Sequence, residues 1–268
     1  MISFPNAKIN IGLHIKRKLS NGFHEIESLL YPIKLKDALE FVESDETTLV
    51  QSGQSLDNAP EDNIVMKAYN LLQEDYPRIT ALNIHLLKNI PSGAGLGGGS
   101  ADASFMLKML NSHFQLNITQ EKLEAYAARI GSDCPFFIAN KTSLATGRGD
   151  QLNVFELDLS EYVIQLICPE LHVSTKQAYS HVVPNPNSAG LITVLARPIE
   201  EWKDHLSNEF EESVFRQFPQ LTEIKNALYD GGAIYASMSG SGSSIYGIFP
   251  KNKKADIQVN IGFQEFLV

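Results

Sequence analysis

The sequence predicts an α+β fold with two lobes that divide near residues 150 to 160. Apolar runs with a period of two alternate with runs at helical spacing, and this pattern restarts after about Gly149. A glycine cluster also lies between a predicted strand and a predicted helix. The 268 residues suffice for one large domain or two modest ones. We therefore expect an N-terminal domain over 1–152 and a C-terminal domain over 153–268.

The first predicted elements form a β-hairpin. Apolar residues alternate from Ala7 to Ile15, which is typical of a half-buried strand. Ser20-Asn21-Gly22 then supplies turn residues before a second β-like run from Ile26 to Ile33. The hairpin brings the N-terminal strand into a sheet.

The rest of the first half predicts helices around one more strand. Apolar positions recur at helical spacing from Ile64 until Pro77 ends the run. A strand over Thr80–Lys88, a helix over about Ser100–Phe114 and a helix over about Thr119–Ile130 follow, and we expect Ser100 and Thr119 to cap these helices.

The second half repeats the mixture. Its predicted elements are a strand over Tyr162–Cys168, a helix near Thr175, helical stretches around Leu191, Asn208 and Leu221, and strands over Ala233–Ser237 and Ser244–Phe249. The last two strands flank a small Gly/Ser cluster, Ser239-Gly240-Ser241-Gly242.

Composition excludes several classes of protein. Hydrophobic residues make up 43% and charged residues 20%, as in ordinary globular domains, so long disordered or repetitive chains are excluded. The net charge of −9 argues against a surface that binds nucleic acid. Apolar runs are too short for a membrane helix, and no secretory signal is apparent, so we expect a cytoplasmic protein.

The two cysteines and seven histidines predict no metal site. Cys134 and Cys168 are too few for a disulfide framework, and reduced thiols are expected. The histidines show no zinc-ligand spacing.

A glycine-rich segment predicts a phosphate-binding loop. Five of the 18 glycines lie within seven residues, Gly93 to Gly99. Glycines adopt positive φ and allow a ligand to approach the backbone. The N-terminus of the following helix offers unpaired N–H groups and the positive end of its dipole. A linker is the alternative, but linkers do not usually join a strand directly to an apolar helix.

Other phosphate-binding motifs fit this loop less well. Gly93, Gly95 and Gly98 match the dinucleotide fingerprint, but a second helix follows where a parallel strand is required. No Lys-Ser/Thr pair follows the last glycine, as a Walker A loop needs, and the protein-kinase segments H-R-D and D-F-G are absent.

The segment from Pro91 to Ser100 resembles the signature loop of the GHMP small-molecule kinases, P-x-x-x-G-L-G-S-S-A. Its triple glycine, in place of Gly-Ser-Ser, is similar to the loop of the family branch that acts on 4-diphosphocytidyl-2-C-methyl-D-erythritol. Asn6–Asn10 resembles the P-A-K-[IL]-N start of that branch, Asn21–His24 its D-G-Y-H turn, Ile130–Phe137 its L-G-A-D-V-P-F-F segment, and Ser239–Gly242 the third family motif. The resemblance thus spans nearly the whole chain.

The resemblance implies a two-lobed GHMP kinase fold with the active site in the cleft between lobes. It implies Asp133 as general base, paired with Lys8, because phosphoryl transfer needs positioning, charge neutralisation and a proton acceptor. The implied ATP-binding residues are Pro91, Ser92, Gly93, Ala94, Gly95, Leu96, Gly97, Gly98, Gly99, Ser100 and, toward adenine, Asn63. A loop role for Asp133 and a surface role for Lys8 are the alternatives from the residues alone.

The same resemblance implies the substrate-binding residues Asn10, Phe23, His24, Thr175, Tyr179, Gly240 and Ser241. His24 would hydrogen-bond cytosine, and Phe23 and Tyr179 would stack on its faces. Three residues depart from the usual pattern: Asn6 replaces Pro, Phe23 replaces the commoner Tyr, and Ser132 replaces Ala. Phe23 keeps the stacking surface but has no hydroxyl.

The implied reaction transfers phosphate from ATP to the 2-hydroxyl of that substrate, in non-mevalonate isoprenoid precursor biosynthesis. Mg²⁺ is expected to arrive bound to ATP, with no protein ligand assigned. No nucleic acid or membrane partner is expected, and the protein would be a monomer or homodimer. Another GHMP small-molecule kinase and a catalytically silent nucleotide-binding homologue stay open as alternatives.

Overall fold

The computed structural model describes residues 1–20, 22–54, 63–186 and 190–268. Asn21, part of the predicted turn, lies outside these residues. The strands are β1 Ile2–Ser3, β2 Asn6–Lys18, β3 His24–Lys36, β4 Ala38–Glu43, β5 Thr48–Gly53, β6 Leu82–Lys88, β7 Ser143–Thr146, β8 Gln151–Val154, β9 Tyr162–Pro169, β10 Tyr235–Met238, β11 Ile245–Pro250 and β12 Phe263–Leu267.

The helices confirm the predicted α+β class. They are α1 Ile64–Asp75, α2 Gly98–His113, α3 Gln120–Ile130, α4 Cys134–Ala139, α5 Thr175–Tyr179, α6 Leu191–Leu195, α7 Trp202–His205, α8 Phe210–Gln217 and α9 Pro219–Asp230, with a 3-10 turn at Ile199–Glu201. Helix α1 ends just before Pro77, because a residue that precedes proline is disfavoured in the α conformation. Thr119 caps α3 as predicted, its side chain accepting from the N–H of Lys122.

Among the described residues the strands form three four-stranded sheets. Their orders are β1-β4-β6-β5, β2-β3-β7-β8 and β10-β11-β9-β12. Strands β5 and β6 are parallel, whereas β4 pairs with β6 antiparallel. Strand β9 lies in the middle of the third sheet, between β11 and β12. The parallel β5–β6 pair and the short strands β1, β4, β7, β8 and β12 were not predicted.

The chain folds into two compact units. The first comprises Met1–Lys8, Pro32–Ser92 and Gly97–Lys141, and the second comprises Ile9–Tyr31, Gly93–Leu96 and Thr142–Val268. Segments of the two units alternate along the chain, whereas the predicted domains, 1–152 and 153–268, are two continuous stretches. The division into those domains stays a prediction. The chain passes between the units within β2, within β3, on either side of Gly93–Leu96 and between Lys141 and Thr142.

Each unit has its own apolar core. In the first unit, inward residues of β4 and β6 pack with α1, α2 and α3; Phe41, Leu72, Ile84 and Leu110 are representative. In the second unit, Ile167, Leu221, Ile224 and Ile245 belong to a core that joins the third sheet to α8 and α9. Both arrangements follow the helix-on-sheet layering of mixed domains, in which apolar faces are buried against each other.

Candidate active site

The glycine-rich segment forms the connection from β6 to α2. Gly93, Gly95 and Gly97 have φ values of 66°, 77° and 70°, in the left-handed region that favours glycine. Helix α2 begins at Gly98 with Gly97 as its N-cap residue. The expectation that Ser100 caps the helix is wrong, because α2 starts two residues earlier and Ser100 lies in its first turn. The first N–H groups of α2 have no carbonyl partner within the helix, which favours an anion there.

Several loop glycines have close neighbours, and at Gly95 the neighbour is backbone that leaves no room for a side chain. A Cβ on Gly95 would collide with the carbonyl oxygen of Ser239, within the second unit. A Cβ on Gly97 would lie 3.0 Å from the Phe137 ring and 3.2 Å from Cε of Lys8, within the first unit. At Gly99 the nearest atom, on Ile64, would be 3.6 Å away. The clash with backbone thus requires glycine at 95. At 97 the positive φ and the tight side-chain contacts favour glycine, and at 99 neither applies.

The first unit brings Lys8 and Asp133 together. Lys8 Nζ lies 3.5 Å from Oδ2 of Asp133, with 4% of the lysine side chain and 44% of the aspartate side chain exposed. Lys8 is in β2, and Asp133 occupies the N-cap position of α4 without a side-chain cap bond. The pair therefore combines a buried ammonium with a carboxylate that solvent and ligands can reach.

Ser104 helps to place the residue after Asp133, although no sequence pattern singles it out. Its hydroxyl oxygen lies 2.7 Å from the carbonyl oxygens of both Ser100 and Cys134 and can donate its one hydrogen to either. Cys134 is buried, and this burial raises the pKa of its thiol to about 11, so the thiol stays protonated at neutral pH. The start of α4 is thus tied to α2.

Within the second unit, the loop residues Gly93–Leu96 bond to the predicted third motif. The Ser239 hydroxyl donates to the Gly95 carbonyl at 2.8 Å and accepts from the Asn10 N–H at 3.3 Å. Gly240 has φ 55°, and a Cβ there would lie 3.3 Å from Oδ1 of Asn10. Ser241, next in the motif, is half-buried. Asn10, Gly95 and Gly240 are therefore neighbours.

Asn208 holds this motif in place, although the sequence does not predict this role. Its side-chain amide donates to the carbonyl oxygens of Met238 and Gly240, both at 2.8 Å. Asn10 is itself buried, and its amide donates to the Ser28 hydroxyl at 2.8 Å. No motif marks Asn208, because its partners lie 30 and 32 residues farther along the chain.

Aromatic residues of the second unit form two groups. His24 and Tyr179 stack with their ring centroids 4.6 Å apart and an interplanar angle of 20°. The Arg148 guanidinium lies 5.4 Å from the centroid of Phe23, whose side chain is 57% exposed. Burial, together with nearby Lys18, lowers the pKa of His24, so its ring is neutral at pH 7. A neutral imidazole has one donor and one acceptor nitrogen.

Two predicted binding residues lie at helix starts. Asn63 is the N-cap of α1: its Oδ1 accepts from the Val65 N–H at 2.9 Å. Thr175 is exposed and begins α5, which is capped by Ser174 through a reciprocal pair of bonds with Gln177. These observations give Asn63 a capping role and place Thr175 one helical turn before Tyr179.

A second lysine cluster in the first unit was not predicted from the sequence. Lys88 donates to Asp37 and, at 2.7 Å, to Oδ2 of Asp102, and all three side chains are buried. Burial raises the pKa of Asp102 to about 8, against the opposing effect of Lys88. The residues are far apart in sequence and carry no motif that would reveal their contact.

Comparison with known proteins now identifies the family. Family models described as the GHMP kinases N-terminal domain and the GHMP kinases C-terminal domain match residues 63–141 and 192–264. The chain belongs to the GHMP kinase family. The N-terminal match includes the glycine loop and Asp133, and the C-terminal match includes Ser239–Gly242.

Curated relatives of this GHMP kinase include two proteins named 4-diphosphocytidyl-2-C-methyl-D-erythritol kinase. The protein from Parabacteroides distasonis is 51% identical over 94% of this chain and 92% of its own length. The protein from Azobacteroides pseudotrichonymphae is 47% identical over the full length of both chains.

Solved structures share the GHMP kinase fold. A 4-(cytidine 5'-diphospho)-2C-methyl-D-erythritol kinase matches with a TM-score of 0.76 and 30% identity, over 92% of this chain and 90% of that chain. A mevalonate kinase matches with a TM-score of 0.74 at 13% identity, over 99% and 98% of the two chains. At that identity the second likeness shows the fold alone.

Two kinds of feature are absent from the described residues. No cluster of three or more His, Cys, Asp or Glu side chains there is arranged to hold a metal ion. In the same part of the chain, none of the helices combines the length and apolar character needed to cross a bilayer.

Proposed function

We propose that this GHMP kinase uses ATP to phosphorylate the 2-hydroxyl of 4-diphosphocytidyl-2-C-methyl-D-erythritol, giving the 2-phosphate and ADP. The observation that carries this proposal is near full-length identity of 47–51% to relatives named for that substrate. The pathway, non-mevalonate isoprenoid precursor biosynthesis, comes with the proposed substrate. The cytoplasmic location and the monomeric or homodimeric state stay predictions.

Asp133 would accept the proton of the substrate hydroxyl. Its carboxylate is 44% exposed, so a hydroxyl can reach it, and the Lys8 ammonium 3.5 Å away can attract and orient it. Lys8 could also stabilise negative charge on the phosphoryl group during transfer. The buried position of Lys8 supports both roles, because a cation acts more strongly where water is excluded.

The loop from Pro91 to Ser100 would bind the phosphates of ATP. Its support is the positive-φ backbone at Gly93, Gly95 and Gly97 and the N-terminus of the 16-residue helix α2. The adenine contact expected of Asn63 would have to coexist with the capping bond to the Val65 N–H.

Second-unit residues would bind the diphosphocytidyl substrate. A neutral His24 can donate a hydrogen bond to cytosine N3 or accept one from the cytosine N4 amino group. Phe23 supplies an exposed aromatic face for stacking, and Tyr179 would supply a second once His24 leaves its face. Asn10, Thr175, Gly240 and Ser241 complete the proposed substrate set.

The residues fit a Mg²⁺ ion that is carried by ATP. Such an ion keeps several waters and uses few protein ligands. The phosphate oxygens would hold it, with the Ser100 hydroxyl in the first turn of α2 as a chain oxygen of suitable chemistry. When bound, the ion would neutralise phosphate charge.

Substrate-dependent turnover tests the proposal. Purified protein with ATP should release ADP when the diphosphocytidyl alcohol is added, and the phosphate should appear on the 2-hydroxyl by ³¹P NMR. Homoserine and mevalonate are the matched alternative alcohols. Turnover with either of them alone would assign another GHMP kinase activity, and ATP binding without turnover of any alcohol would indicate a silent homologue.

A further inference from the structure

The cluster of Asp37, Lys88 and Asp102 (the buried trio) is not used by the proposed chemistry. Their exposed fractions are 2%, 3% and 1%. Lys88 Nζ donates to Oδ2 of both carboxylates. Oδ1 of Asp102 has no hydrogen-bond partner, although it is buried. Three ionisable groups have therefore been removed from water in one place, which is costly unless they are paired and hydrogen-bonded.

The trio connects the two ends of the phosphate loop. Oδ1 of Asp37 accepts from the N–H groups of Asn89 and Ile90, at 2.6 and 2.8 Å, just before the loop begins at Pro91. Asp102 is the fifth residue of α2, just after the loop ends. A continuous set of bonds thus runs from Ile90 through Asp37 and Lys88 to Asp102.

The start of α2 also packs directly on this cluster. A Cβ on Gly98 would lie 2.8 Å from Cγ2 of Ile90 and 3.4 Å from Nζ of Lys88. The backbone of the first helical residue therefore rests against both the entry of the loop and the ammonium. A shift of α2 relative to β6 would break these contacts.

Apolar side chains could not replace this set of bonds. Buried ion pairs can often be exchanged for well-packed apolar residues without loss of stability. Such residues, however, could not accept the two amide hydrogens of Asn89 and Ile90 or fix the direction of the chain there. Residues 93–96 belong to the second unit, so the first unit holds the loop only by its two ends.

We infer that Asp37, Lys88 and Asp102 are positioning residues that clamp the two ends of the phosphate loop and so fix the amides at the start of α2 for ATP. This inference rests on the proposed function of the loop. The trio touches no reacting atom in the proposed mechanism. It acts through the spacing of the amides, so its loss weakens their hydrogen bonds to the phosphates of ATP and lowers the affinity for ATP.

Asp102→Ala and Asp102→Asn test the clamp, with Glu121→Ala as a matched control, since Glu121 is an exposed acid in the first turn of α3. Asp102→Ala should raise KM for ATP at least tenfold, while kcat and KM for the alcohol change less than threefold. Asp102→Asn should retain most of the ATP affinity, because its amide oxygen can still accept from Lys88. A folded Asp102→Ala protein with the parental KM for ATP would overturn the inference, as would an equal loss in all three constants.

Hydrogen exchange gives a second readout that does not depend on activity. In Asp102→Ala, the amides of Asn89, Ile90 and residues 98–101 should exchange at least tenfold faster, and those of β11 in the second unit should be unchanged. If the parent protein turns over no alcohol but these amides respond, the proposed function fails and the clamp stands. If the parent is active and the amides do not respond, the clamp is wrong.

Discussion

Two Lys–Asp clusters in the first unit use the same residue types in opposite surroundings. Asp133 beside Lys8 has a carboxylate that is 44% exposed, whereas Asp37 and Asp102 beside Lys88 are almost completely buried. A reachable carboxylate can exchange a proton with a ligand, but a buried one can only hold its neighbours. Exposure, and not residue type, separates the proposed chemistry from the proposed support of the loop.

The charge balance of the clusters differs as well. Lys8 faces one carboxylate in the contact with Asp133, whereas Lys88 is shared by two. Burial and the second carboxylate raise the pKa of Asp102 against the attraction of Lys88. The buried trio is therefore expected to hold a proton at neutral pH, which removes an uncompensated negative charge from the core.

The largest expected effect contrasts two lysine substitutions. Lys88→Met should lower the free energy of unfolding by about 3–5 kcal/mol, because it leaves two buried carboxylates without their cation. Lys8→Met should lower it by less than about 1 kcal/mol, since its partner carboxylate stays solvated. Urea denaturation of both variants measures the difference. Equal losses would contradict the distinction between the clusters.

A second expected effect concerns the second unit, where His24, and not a Lys–Asp cluster, is proposed to bind the substrate. His24→Ala should raise KM for the diphosphocytidyl alcohol by about tenfold, since a lost hydrogen-bond partner costs roughly 1–3 kcal/mol. KM for ATP should stay within twofold. His205→Ala, at an exposed position on α7, is the control in the same steady-state assay. An unchanged KM for the alcohol would remove His24 from the proposed site.

A smaller effect is expected from glycine substitutions in the loop. Gly95→Ala should lower the free energy of unfolding by at least about 1–2 kcal/mol, because φ is 77° and a Cβ would collide with Ser239. Gly99→Ala should be nearly neutral, since it lies in α2 and meets only Ile64 at 3.6 Å. Thermal denaturation of the two variants tests this, and similar melting temperatures would refute the steric account.

The last expected effect is a pH dependence of stability. The pKa of Asp102 is raised to about 8 in the folded state, above its ordinary value of 3.8. Between these values the folded protein keeps a proton that the unfolded chain releases, so this contribution to stability falls as the pH rises from about 4 to 8. The slope is at most about 1.4 kcal/mol per pH unit.

Asp102→Asn should flatten this slope, because an amide does not titrate. Chemical denaturation at pH 5, 6, 7 and 8 compares the variant with the parent protein, and Glu121→Ala serves again as the control. Parallel pH profiles for the parent and Asp102→Asn would show that the trio does not hold the proton.

The sequence predicted what depends on local pattern. The hairpin strands, the helix stopped by Pro77 and the Thr119 cap follow from periodicity and capping rules, and the structure confirms them. Resemblance led to the proposed pairing of Lys8 with Asp133. The Ser100 cap failed because the left-handed Gly97 begins α2 without a side-chain cap.

The missed features depend on contacts between distant residues. Asp37 and Lys88 are 51 residues apart, and Asn208 bonds to carbonyls 30 and 32 residues away. The parallel pairing of β5 with β6 likewise depends on tertiary packing, and the short, largely exposed β5 has little apolar pattern of its own. No spacing rule in a single sequence reports such contacts.

Single-turnover transfer by Asp133→Asn tests the central claim most directly. With saturating ATP and diphosphocytidyl alcohol, the transfer rate should fall by roughly 10²–10⁴-fold, because the amide cannot accept the hydroxyl proton. ATP affinity and the free energy of unfolding should stay close to those of the parent protein, since Asp133 is half exposed. A transfer rate within threefold of the parent would show that Asp133 is not the base and that the exposed Lys8–Asp133 pair does not carry the chemistry.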